Sequence, residues 1–292
     1  MTDPAAVERD AAEAASAFSH PAVAPDASAA YGEHPDQLVD FYAPRGETQG
    51  QAPLVVLLHG GAWRAPYDRQ HITPMAGFLA RQGFAVANVE YRRGSSLPHQ
   101  AADGPVAGRW PETFDDVAAA LDALPELTAA ALPQADVRRV VVTGHSAGGQ
   151  LALWAAARHV LPSGSPWRLP EPPPLRGVVA LAPIADFAVA EELGVCGGAC
   201  GQLLGGAAHW AERLPYADPA ALLPTGIATA VVQGREDIVV PARVAESYVA
   251  AAAKAGETVG LTLLDGVGHF PLIDPAADAC AVVSEEIAQL AW

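Results

Sequence analysis

The sequence predicts an α/β fold in which a mostly parallel central sheet carries helices on both faces. Short runs rich in Val, Leu and Ala alternate along the chain with helical patterns, as strands joined by helical crossovers do. Several of these runs are apolar throughout, which suits strands covered on both sides. One of them, Arg139 to Thr143, passes through Gly144-His145-Ser146-Ala147-Gly148 directly into a helical pattern. That order places a serine on a sharp strand-to-helix turn.

Taken in order, an Ala-rich stretch with scattered acids predicts a helix over about 5 to 18, followed by a Pro/Ala linker from Pro21 to Pro25. Residues 1–28 therefore read as a helical segment outside the sheet, and 29–292 as one domain. The strands expected are Gln37 to Tyr42, Leu54 to Leu58, Phe84 to Glu90, Arg139 to Thr143, Gly177 to Leu181, Thr229 to Gln233 and Leu261 to Leu264. Pro111 with Glu112, Asp115 and Asp116 suits the start of a helix, and Phe114, Val117, Ala118 and Leu121 give it one apolar face. The helix after Ser146 is apolar almost all round and should be buried. At the end, Asp274 is expected to cap and Pro275 to start a helix bearing Cys280, Val283, Ile287 and Leu290 as a stripe.

Two connections are too long for simple turns, Arg92 to Pro111 and Asp186 to Pro224. The second, about 186–224, is expected to form a small cap or lid insertion, and both should wall a pocket. Pro162 to Pro174 reads as a surface loop of polyproline character.

With 33 acidic and 17 basic residues the net charge is −16, which disfavours nucleic acid, anionic membranes and strongly anionic substrates as partners. No apolar run is long enough to span a bilayer, and the first ten residues show neither a basic leader nor an apolar core segment, so a cytoplasmic location is expected. The three cysteines are too few for a disulfide framework, and Cys196 and Cys200 read as thiols in a Gly-rich loop.

A serine hydroxyl becomes a nucleophile only when a base takes its proton, an acid orients that base and donors await the oxyanion. Ser146 is the candidate nucleophile, with Gly144 and Gly148 leaving room for the turn. Asp237, in the tight loop after the apolar strand ending at Gly234, is the candidate acid, with Glu236 its rival. His269 follows the last strand in Gly266-Val267-Gly268-His269, where the glycines let the loop fold back over the sheet. Backbone amides of the glycine turn His59-Gly60-Gly61-Ala62-Trp63 suit an oxyanion, with Gly61 and Ala62 first and Ala147 supplying the other donor. His59 is expected to hold the loop, and Trp63 either to line the pocket or to pack. His20, His34, His71, His99, His159 and His209 read as surface or packing residues.

Together with Glu90-Tyr91-Arg92-Arg93, Ala182-Pro183-Ile184-Ala185-Asp186, Gly234-Arg235-Glu236-Asp237 and Gly268-His269-Phe270, these motifs resemble the α/β-hydrolase superfamily in collinear order over residues 37 to 292. Within it they resemble hormone-sensitive-lipase-like esterases and kynurenine formamidases. The resemblance implies the α/β-hydrolase fold and a triad of Ser146, Asp237 and His269. Lipase-like relatives usually carry a third glycine where this chain has Ala62, a departure that resembles the formamidase loop. The expected activity is hydrolysis of small to medium neutral carboxylic esters through an acyl-enzyme, without metal or organic cofactor. The rival substrate is an N-formyl aryl amide such as N-formylkynurenine. A reading of another class, an inactive hydrolase fold used for binding, predicts a Ser146 that no serine-directed probe labels.

Overall fold

The computed structural model describes residues 3–46, 50–94, 107–108 and 110–292. Eight strands form one sheet: β1 (Ala27–Ala30), β2 (Leu38–Tyr42), β3 (Ala52–Leu58), β4 (Ala85–Val89), β5 (Ala135–His145), β6 (Gly177–Leu181), β7 (Thr229–Gly234) and β8 (Gly260–Leu264). Their order is β1-β2-β4-β3-β5-β6-β7-β8, antiparallel for the β1–β2 and β2–β4 pairs and parallel elsewhere. The helices are α1 (Pro4–Ala17), α2 (Thr73–Arg81), α3 (Glu112–Ala131), α4 (Ala147–Ala156), α5 (Phe187–Glu192), α6 (Ala199–Leu203), α7 (Trp210–Ala217), α8 (Ala242–Lys254) and α9 (Asp278–Ala291).

The uniformly apolar strands feed two cores, because successive side chains of a strand point to opposite faces. Leu54, Val56 and Leu58 of β3 pack with Phe114 and Val117 of α3, Leu151 and Trp154 of α4, and Tyr248 of α8. Val55 and Leu57 pack on the other face with Met75 and Leu79 of α2 and with Val283 and Ile287 of α9. All ten residues of α4 are buried, as its apolar circumference requires.

Two differences from the sequence expectation stand out. β1 is added at the sheet edge by pairing with β2, Ala27 opposite Phe41 through Ala30 opposite Leu38, so the boundary placed at residue 28 falls inside it. Its short Ala/Ser run carries no strand signal of its own. The last helix starts at Asp278, not at Pro275; the Asp274 carboxylate accepts the Ala276 amide as a cap would, and it also binds Ser16 Oγ and His20 Nε2. The expected insertion folds as α5, α6 and α7 with short 3₁₀ turns between and after them. Most of the other long connection lies outside the described residues, as does His99.

The parallel strands all end on one side, and ligand crevices of open α/β sheets form there. β3 ends into the His59–Ala62 turn, β5 into Ser146, β7 into the Asp237 loop and β8 into the His269 loop. Among the described residues no helix is long and apolar enough to cross a membrane.

Candidate active site

Ser146 adopts φ 57° and ψ −117°, a conformation that costs a non-glycine residue about 1–3 kcal/mol. The turn is held by its surroundings: Ser146 N–H donates to the Leu181 carbonyl at 2.8 Å, and the Ser146 carbonyl accepts from Ile184 N at 3.3 Å and Gln150 N at 3.1 Å. The flanking glycines are required by close approach. A Cβ at Gly144 would collide with the Gly148 backbone, and one at Gly148 with the Leu58 and His59 carbonyls, so α4 could not start so near β3.

His269 Nδ1 donates to Asp237 Oδ2 at 2.6 Å, with both side chains buried. The other Asp237 oxygen accepts from the Val239 and Val240 amides at 2.8 Å each, and Gln233 Nε2 donates to Oδ2 at 3.2 Å. Every lone pair that burial strips of water is thus given a donor, which keeps the carboxylate fixed on the imidazole. Glu236, the rival acid, points outward into an ion pair with Arg9 at 3.6 Å. Ser146 and His269 line one cavity of about 240 Å³ together with Gly61 and Ala62. Among the described residues Ser146 and His269 share no hydrogen bond; such contacts are often loose without substrate and tighten when it binds.

The glycine turn is left-handed over three residues, with φ of 101° at Gly61, 52° at Ala62 and 54° at Trp63. Among the described residues the Gly61, Ala62 and Ala147 amides donate to no backbone carbonyl. His59 holds this turn: its Nε2 lies 2.8 Å from Glu90 Oε1, its ring stacks on Tyr91 at 4.2 Å, and Tyr91 Oη donates to its carbonyl at 2.6 Å. Burial alone would raise the Glu90 carboxyl, yet His59, Arg93 and the Arg69 amide outweigh it and hold the group at about 2. Trp63 is fully buried and packs edge-on against Phe187 at 5.9 Å, so of its two expected roles the packing one is realised.

Sequence reasoning missed several residues at this site. His71 is not a bland packing residue: it lines the cavity, lies edge-on to His59 at 5.7 Å, and burial pushes it down to about 4, which leaves it neutral at ordinary pH. His145, the variable residue of the serine turn, donates from Nε2 to the His269 carbonyl at 3.0 Å, and burial beside His269 pushes it well below the usual range. Phe18, Tyr67 and Phe270 add aromatic walls, and Cys196 of the insertion faces the same space. No periodicity marks these residues, since they come from five separate segments. Cys196, Cys200 and Cys280 are free thiols, and among the described residues no three His, Cys, Asp or Glu side chains are grouped as metal ligands. A second cavity of about 230 Å³, lined by residues including Leu54, Leu121 and Pro125, holds none of the residues of this site.

A strained serine at the end of β5, an Asp-supported histidine after β8 and a glycine turn after β3, set on this sheet, define an α/β-hydrolase. More narrowly, residues 39–251 match the family model described as BD-FAE, and the chain belongs to that family. It is similar in structure to esterase B from Lactobacillus rhamnosis (HN001), with a TM-score of 0.72 and 20% identity over 97% of this chain and 90% of that one. A truncated carbohydrate esterase from gut microbiota gives a TM-score of 0.70 and 18% identity over 93% and 99% of the two chains. Among curated proteins, the non-reducing polyketide synthase ascC of Acremonium egyptiacum is 29% identical over 140 residues, which make up 47% of this chain and only 6% of that protein.

Proposed function

We propose that the chain is a serine hydrolase that cleaves small to medium neutral carboxylic esters through an acyl-enzyme on Ser146. The observation that carries this reading is the convergence, in one cavity, of Ser146, the Asp237-supported His269 and the left-handed Gly61–Ala62 turn. His269 Nε2 takes the proton of Ser146 Oγ as the oxygen attacks the ester carbonyl carbon. Asp237 fixes the Nδ1–H tautomer and stabilises the imidazolium that forms. The Gly61, Ala62 and Ala147 amides meet the oxyanion, and loss of one such donor typically costs about 10²–10³ in rate. The imidazolium then protonates the departing alcohol. Water, deprotonated by the same histidine, releases the acid and restores Ser146.

Cavity size and apolar walls support a modest acyl or alcohol group: the space is about 240 Å³, and its walls include Phe18, Val239, Phe270 and Ile273, with Arg64 among the polar ones. A fluorophosphonate probe is expected to label the wild type and not Ser146→Ala. An unlabelled wild type overturns the enzyme reading in favour of a binding role. Turnover of nitrophenyl esters of graded acyl length beside N-formylkynurenine tests the substrate class; a strong preference for the formamide replaces the ester reading with the amide one.

A further inference from the structure

α1 is held to the molecule by a polar stripe. Arg9, Glu13 and Ser16 recur at helical spacing on one face, and Ala17 is the only buried residue of the helix. Each member of the stripe reaches a loop that follows β7 or β8. Arg9 Nη2 donates to the Glu236 carbonyl at 3.2 Å, Glu13 Oε1 accepts from Gly268 N at 3.1 Å, and Ser16 Oγ donates to Asp274 Oδ2 at 2.6 Å. Just past the helix, His20 reaches the same Asp274 at 2.6 Å and Phe18 packs edge-on against Phe270 at 5.4 Å.

The Glu13 contact differs from the others because it reaches the backbone next to His269. Gly268 is absent from the left-handed glycines, so its backbone conformation does not require a glycine. The contact does: a Cβ at Gly268 would collide with the Glu13 carboxylate. Among the described residues the second carboxylate oxygen, Oε2, is buried without a partner, a desolvation cost that an ordinary surface anchor would avoid. From the opposite side, His145 Nε2 grips the His269 carbonyl at 3.0 Å. The loop that presents the imidazole is therefore pinned before His269 by α1 and after its ring by the serine turn.

We propose that Glu13 is a positioning residue for His269, a role that rests on His269 being the base of the hydrolase proposed above. The carboxylate holds the Gly268 amide so that the imidazole meets Ser146 in register. Catalytic groups need placement within about 0.5 Å, and a displacement of about 1 Å costs about 10²-fold. Because Arg9, Ser16, His20 and Phe18 keep α1 docked, truncating Glu13 releases the loop without releasing the helix.

The test compares Glu13→Ala, Glu13→Gln and Ser16→Ala in the full chain. Glu13→Ala is expected to lower kcat about 10- to 100-fold with KM within about twofold. Glu13→Gln, whose side-chain carbonyl still accepts the Gly268 N–H, restores kcat to within about threefold, and Ser16→Ala, which loosens α1 elsewhere, keeps the wild-type kcat. Hydrogen exchange read in parallel should show the Gly268 amide protected in wild type and Glu13→Gln and exposed in Glu13→Ala. Wild-type kcat in Glu13→Ala, no rescue by Glu13→Gln, or unchanged Gly268 protection each overturns the role. If Glu13→Ala does not fold, Gly268→Ala reads the same contact by expelling the carboxylate, and wild-type kcat there is equally decisive. A wild type that turns over no ester fails the hydrolase reading, and Gly268 exchange still decides the contact. Turnover that Ser146→Ala abolishes but Glu13→Ala leaves intact fails the positioning role alone.

Discussion

Asp237 and Glu236 are adjacent acids in one tight loop, and their environments separate them. Asp237 turns inward, where two backbone amides and Gln233 leave one lone-pair direction for His269, while Glu236 stays half exposed beside Arg9. Asp237→Asn keeps the size of the side chain but permits the wrong imidazole tautomer, so kcat is expected to fall about 10³–10⁴-fold with KM little changed. Glu236→Gln should stay within about twofold, since it alters only a solvent-exposed ion pair. Steady-state kinetics of the two purified variants check this, and equal losses would remove Asp237 from its role. The distinction was legible in the sequence only as far as the loop: both carboxylates follow the same strand, and which one turns inward depends on amides of Val239 and Val240 that no motif announces. Ser146 and His269 were more legible because close approach demands glycine at 144 and 148 and a left-handed turn favours it at 266, and those glycines appear in the sequence. His145, His71 and Glu13 were not, because each acts on a loop distant in sequence through a single hydrogen bond or ring contact.

The glycine turn after β3 carries its left-handed residues at a cost, and a buried charged cluster beneath it maintains the shape. Glu90, at the end of β4, accepts from the Arg69 and Tyr91 amides and from Arg93 Nη1 at 2.8 Å while facing His59 Nε2 at 2.8 Å. Its carboxyl is held near 2 against an ordinary 4.5, so its contribution to stability is complete above about 4.5 and is lost as pH falls toward and through 2. The shift corresponds to roughly 3 kcal/mol. Removing one member of such a cluster leaves the others buried and unpaired, and Glu90→Ala is expected to destabilise the fold by about 3–5 kcal/mol at pH 7. Urea unfolding at pH 7 and at pH 3 checks both statements: the difference between wild type and variant should narrow at the lower pH, and a difference independent of pH contradicts the assignment. At this scale the sequence was informative wherever apolar period and strand length agreed, as in β3 to β7. It failed at β1, whose Ala-Ser-Ala-Ala run becomes a strand only because β2 offers an open edge, and at the start of α9, which begins at Asp278 although Asp274 accepts the Ala276 amide.

At the scale of the whole molecule, the start and the end of the inserted segment are tied together by a buried acid. Asp218 Oδ1 accepts from the Phe187 amide at 3.2 Å and the Ala220 amide at 3.1 Å, and Phe187 packs against Trp63, the last residue of the glycine turn after β3. Direct ties run to α4 as well, where Gln150 Nε2 donates to the Ala217 carbonyl and Trp154 Nε1 to the Tyr216 carbonyl, each at 2.8 Å. Burial, reinforced by the neighbouring Asp186, outweighs the two amides and pushes Asp218 up to about 7 from an ordinary 3.8. The sign is opposite to that of Glu90. A carboxyl raised in the folded state favours folding fully below its unfolded value, and that advantage is lost as pH rises from about 3.8 through about 7. Above that range the ionised group opposes the fold by an amount on the order of 4 kcal/mol. Asp218→Asn keeps an acceptor for the Phe187 and Ala220 amides and removes the charge. The variant is therefore expected to melt several degrees above wild type at pH 8. The gap should close as pH approaches 4, where the wild-type carboxyl is protonated too. Thermal melts at the two pH values decide the matter: a gap of the same size at both, or a variant less stable at pH 8, would show that ionising the acid costs the folded protein nothing.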